Sequence, residues 1–192
     1  MIERKYQTFW PRFWAGWIDS IVFIPLMVID HIIWKNHNYV PIFVVVLWFT
    51  VYSLSYVIYS VLMHGTYGQT LGKMAKRVKV LDISENRLTM SQAIRRDIVL
   101  IVLTIIGVIL EIPKIASGVN IYDPKASSFD ISFYIILFAE MVWFLAELIT
   151  MLFSNKRRAV HDFIAGSVVI RLPQQGDPGA RVMGSCFLHF RD

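Results

Sequence analysis

Four apolar stretches, at 13–33, 40–63, 98–116 and 131–153, each supply about the twenty residues that carry a helix across a hydrocarbon layer of about 30 Å. Backbone in lipid must satisfy its own hydrogen bonds, and a helix does so within one segment. With 56% apolar and only 17% charged residues, the chain is too apolar for one soluble domain to hide its surface. The expected fold is an all-α polytopic membrane protein, a four-span helical bundle. Glu111 and Pro113 follow the short apolar core of the third stretch, so a kink or an interfacial course is expected there.

Every Lys and Arg except Lys35, Lys114 and Lys125 falls in the segments 1–12, 64–97 and 154–192. Such asymmetry places those segments, and both termini, on the cytosolic side of a cell membrane, facing anionic lipid. The net charge of +5 is thereby a topology signal and not a nucleic-acid footprint. The first stretch carries Asp19 and Pro25 and no Ala-x-Ala site, and is expected to be retained as a span. The lone cysteine, Cys186, lies in a Gly- and Pro-containing tail, 172–192, expected to be mobile.

The cytosolic segments are expected to have structure of their own. Residues 77–83 alternate as a strand, 166–171 form a second, and the two could pair as a small hairpin or strand pair under the membrane. Thr89-Met-Ser-Gln92 is a capping box that opens a helix bearing Arg95 and Arg96 toward the membrane surface. Gly68-Gln-Thr-Leu-Gly-Lys73 departs from a P-loop: three residues separate the glycines and Met74 follows the lysine. Glycine turns, with Lys73, Lys76 and Arg77 facing lipid phosphate, are the simpler expectation.

Candidate functional groups are the acids inside the spans, since an ionisable side chain at that depth is costly. Glu140 and Glu147 lie seven apart on one helix face, expected to point inward, and Glu140 has no basic residue in any expected span to pair with. Asp19 lies seven past Arg12, about two turns or roughly 10 Å away. It is either a structural partner of Arg12 or part of a proton or cation path. Tyr52, Tyr56, Tyr59 and Ser60 form a hydroxyl stripe that serves either packing or a hard cation. Asp162, beside His161, suits a helix cap or an ion pair with Arg157 or Arg158. His31 and His37 lack the companions of a metal site, no nucleophile–base pair marks an enzyme, and no cofactor is implied.

Arg12-Phe-Trp-Ala-Gly-Trp-Ile-Asp19, Gly68-Gln-Thr-Leu-Gly-Lys73 with Val78-Lys-Val-Leu-Asp82, Gln92-Ala-Ile-Arg95, and Arg157-Arg-Ala-Val-His-Asp162 together resemble the RDD family of membrane proteins over about residues 8–171. The resemblance places the family's arginine and two aspartates on Arg12, Asp19 and Asp162. It implies a small bacterial multi-span protein proposed to transport, with sodium/proton antiport attributed to some relatives. The expected mechanism is competition of protons and Na⁺-like cations for Glu140 and Glu147, with Asp19 completing the site and Arg12 setting its charge. Four spans are few for a transporter, so a homo-oligomer is expected. The alternative is a non-transporting adaptor docking a protein or lipid on its basic cytosolic face.

Overall fold

The computed structural model describes residues 4–120 and 131–173. A 3-10 turn at Arg4–Tyr6 precedes α1 (Phe9–Val22) and α2 (Ile24–Lys35). Then come α3 (Ile42–Tyr67), α4 (Leu71–Ala75), β1 (Val78–Asp82), α5 (Met90–Ala116), α6 (Ile131–Phe153), α7 (Val160–Ala165) and β2 (Ser167–Arg171). Helices α3, α5 and α6 are long and apolar enough to cross a membrane, and α1 with α2 makes a fourth crossing if the pair counts as one span.

The interruption expected in the third span lies in the first. α1 and α2 bend by 47° around Phe23. Pro25, near the start of α2, has no N–H to offer the preceding turn, and Phe23 N instead bonds Ser20 O at 3.1 Å. Pro113 lies only three residues before the end of α5, which runs on to Ala116. That helix also begins earlier than the apolar stretch. Thr89 Oγ1 accepts from Gln92 N at 3.2 Å and Thr89 N donates to Gln92 Oε1 at 3.0 Å, so the first turn forms at Met90. Arg96 and Asp97 consequently belong to a long apolar helix.

β1 and β2 pair antiparallel, Val78 opposite Arg171 and Asp82 opposite Ser167. They are distant in sequence, a strand pair and not a hairpin. Both faces are buried: Val78, Val80 and Val169 meet Leu88 and Ala93, while Leu81, Val168 and Ile170 meet Tyr6. This ties the N-terminal turn, the start of α5 and the chain after α7 into one cap over one end of the bundle, here termed the strand end. At the opposite end, Trp34, Val45, Phe49 and Ile115 form the core. Gly68 ends α3 with φ of 69°, and a Cβ there would lie 2.9 Å from Val80 O, so the exit from the span requires glycine on both counts. The tail expectation for residues 174–192, with Cys186, lies outside the described residues.

Candidate functional site

Charged groups gather at the strand end around Asp162, whose side chain is fully buried. It occupies the first turn of α7, and Oδ2 turns back to accept Ala159 N at 3.0 Å. Oδ2 also pairs with Arg12 Nη1 at 2.8 Å; Oδ1 takes Arg96 Nη2 at 3.2 Å and Ser167 Oγ at 3.2 Å. Four donors from α1, α5, β2 and its own helix fill the carboxylate's capacity. Burial works to raise this carboxyl, but the guanidiniums of Arg12 and Arg96 outweigh it and hold Asp162 well below the usual carboxylate range. The cap expectation stands. The expected partners do not: the ion pairs go to Arg12 and Arg96, while Arg158 bonds the Asp162 main-chain oxygen at 2.9 Å.

His161 carries the network to α6. Arg12 Nη2, at 3.0 Å, and Arg96 Nη2, at 2.7 Å, both face its Nε2. Guanidinium can only donate, so Nε2 is the acceptor and the tautomer assigned is the neutral Nδ1–H form. Nδ1 meets Glu147 Oε2 directly, and His161 N donates to Glu147 Oε1 at 3.2 Å. Side chains here are less enclosed than the core pair, at 16% exposure for Glu147 and 21% for His161 against 0% for Asp162 and 2% for Arg96.

Asp19 forms a separate clamp. Its Oδ1 accepts from Tyr59 Oη at 2.7 Å and from Gly72 N at 2.8 Å, and Oδ2 accepts from Thr70 Oγ1 at 2.6 Å. Tyr59 Oη accepts in turn from Leu71 N at 2.8 Å. The first amides of α4 are thus satisfied by the chain's own side chains, Leu71 N by Tyr59, Gly72 N by the Asp19 carboxylate and Lys73 N by Thr70 Oγ1, where a P-loop would place a phosphate. Gly72 explains the second glycine of the motif: a Cβ there would run into the Ala15 carbonyl and lie 2.9 Å from Asp19 Cγ. Arg12 and Asp19, on one face of α1, serve different partners and share none in common.

Lys73 and Arg96 turn inward, contrary to the lipid-facing expectation. Lys73 Nζ donates to His64 Nε2 at 2.5 Å, and Ser60 Oγ donates to Asp97 Oδ2 at 2.6 Å, with His64 Nδ1 3.2 Å from Ser60 Oγ. Burial, then the positive fields of Arg96 and Arg12, push the Lys73 ammonium well below its ordinary value. The Tyr stripe divides: Tyr59 and Ser60 join the polar interior, whereas Tyr56 packs edge-on against Phe23 and stays 42% exposed. Tyr52 stacks on Trp48, whose Nε1 donates to the buried Asp30 at 3.0 Å. Glu140 is exposed on α6 and is brought against neither Asp19 nor the Asp162 cluster.

Sequence reasoning missed His64, Thr70, Asp97 and Asp30. Asp30 was visible as an acid within the first stretch. Asp97 fell one residue outside the third, and only the capping box at Thr89 could have moved it inside.

The sequence profile of the RDD family matches residues 6–166. A Bacillus subtilis (strain 168) protein described as "Uncharacterized membrane protein YteJ" is 33% identical over 114 residues, covering 52% of this chain and 63% of that relative. The chain therefore spans less than two thirds of that relative's length. No solved structure matches the chain. The profile runs from the N-terminal turn to α7 and includes Arg12, Asp19 and Asp162, the ion pair and the clamp that assemble the strand end. The chain belongs to the RDD family.

Proposed function

We propose that the protein is a small-ion transporter that exchanges protons for a monovalent cation, with Glu147 as the exchanging carboxylate. The observation that carries this reading is the graded enclosure of one network. Asp162 and Arg96 are sealed, and Glu147 with His161 forms its more open edge. A sealed carboxylate with four donors has no lone pair left for a cation. Glu147 has capacity to spare: ionised, it accepts from His161 and offers oxygen to a hard cation; protonated, it releases the cation. Arg12 and Arg96 hold His161 in the tautomer that faces Glu147, so both act as positioning residues, and Asp19 positions α4. The distribution of basic residues supports placing the strand end in the cytosol of a cell-membrane protein.

The second reading is an adaptor without transport, supported by exposed Lys76, Arg77 and Arg95 at the same end, a basic surface suited to an acidic partner or anionic lipid. Purified protein in liposomes with an internal pH dye and imposed Na⁺, K⁺ or Li⁺ gradients separates them. Cation-dependent proton movement is expected; silent vesicles with verified insertion overturn the exchange reading and favour the adaptor.

A further inference from the structure

A second chain of protonatable groups lies beside the Asp162 network and has no part in it. It runs from Lys73 on α4 through His64 and Ser60 on α3 to Asp97 on α5. With Lys73 protonated, its hydrogen bonds have one orientation. The Lys73 ammonium can only donate, so His64 Nε2 accepts and Nδ1 carries the proton; that proton faces Ser60 Oγ, whose own hydroxyl hydrogen is committed to Asp97 Oδ2. His64 is 2% exposed and Ser60 4%, which leaves solvent little room to compete. Among the described residues, Lys73 makes no ion pair with a carboxylate. Its counter-charge is Asp97, approached through the imidazole, whose Nδ1 lies 3.8 Å from Asp97 Oδ2, with the Ser60 hydroxyl hydrogen-bonded between the two.

We propose that Lys73, His64, Ser60 and Asp97 form a proton relay that carries a proton from the strand end about one helical turn deeper into the bundle. The step balances without any other reactant. Lys73 Nζ gives a proton to His64 Nε2, His64 Nδ1 gives its proton to Ser60 Oγ, and Ser60 gives its hydroxyl proton to Asp97 Oδ2. Lysine ends neutral, histidine ends as the opposite neutral tautomer, serine is regenerated and Asp97 is a carboxylic acid. Ser60 lies four residues before His64 on α3, a displacement of about 6 Å along the helix. The charges facing the relay are Arg12 and Asp19 from α1, Arg96 from α5 and Asp162 from α7; Tyr56 of α3 lies in the same field. Arg96 adjoins Asp97 in sequence and bonds His161, so the inner end of the relay borders the Glu147 network. The part the relay plays in transport rests on the exchange reading above; its capacity to move a proton does not.

Two measurements on the full chain test it. Infrared difference spectra of the purified protein between alkaline and acidic buffer should show a carboxylic-acid carbonyl band that disappears in Asp97→Asn. The band should be lost or displaced in Ser60→Ala and in Lys73→Gln, and kept in Ser60→Thr, which restores the hydroxyl. Either interrupting variant suffices if the other does not fold. In liposomes, Ser60→Ala should slow proton movement on the order of a hundredfold, with Ser60→Thr near wild type. An Asp97 band unchanged in both interrupting variants overturns the relay whatever the vesicles do. Silent wild-type vesicles with the band behaving as expected would instead overturn transport and leave the relay standing.

Discussion

Asp162 and Glu147 bind the same imidazole-and-guanidinium cluster, yet they occupy opposite situations. Asp162 is fully buried and meets four donors fixed by four separate segments, so nothing about it can change without the strand end coming apart. Glu147 is half-buried on α6; among the described residues its carboxylate meets just the ring and the amide of His161, and its helix touches the rest of the bundle lightly. A carboxylate is structural or exchangeable according to how many of its lone pairs the fold has already used, rather than by its depth in a span.

Breaking the saturated side should have the largest effect. Asp162→Asn leaves Arg12 and Arg96 buried without their counter-charge, at an expected cost of about 3–5 kcal/mol. Folded yield in detergent should collapse, and a yield near wild type would mean the guanidiniums find another partner. Next in size, Gly72→Ala drives a methyl into the Ala15 carbonyl and should cost about 1–3 kcal/mol. Thermal melts check this, and an unchanged midpoint would show that α4 can lift from α1 freely.

The acid limb of stability follows from the lowered Asp162 carboxyl. Its folded value lies below the value of about 3.9 in the unfolded chain, so the unfolded chain binds the proton more readily. The stabilisation is complete above about pH 5 and is lost as pH falls through 4 toward the folded value. Melting temperature against pH should fall in that window for wild type, and a folded Asp162→Asn variant should lack that part of the slope. On the open side, Glu147→Gln keeps the shape and one of the two acceptor oxygens facing His161, and at this partly open position its stability should change by about 1 kcal/mol. Glu140→Gln, at an exposed position with no contact to the network, should stay within about 0.5 kcal/mol.

How far the sequence carried these distinctions depends on the kind of signal. Span positions, the capping box at Thr89 and the alternation around Val78 and Val169 are local patterns, and all three reappear in the fold. The bend at Phe23 was readable from Pro25, but the length of the apolar stretch outweighed it. Partner choice was not readable. Arg12 and Asp162 lie 150 residues apart in a chain whose strand pair brings them together, and sequence spacing pointed instead to Asp19, on the same helix face. Lys73 and Arg96 looked like ordinary interfacial cations because their acceptors, His64, Asp97 and Asp162, arrive from other elements.

Proton flux through Glu147→Gln, compared with Glu140→Gln in the same liposome preparation and under the same Na⁺ gradient, decides which carboxylate exchanges. Glu147→Gln should insert normally and carry no cation-dependent proton movement, while Glu140→Gln should match wild type. Flux retained in Glu147→Gln, or lost only in Glu140→Gln, would contradict the assignment of exchange to the open edge of the strand-end network.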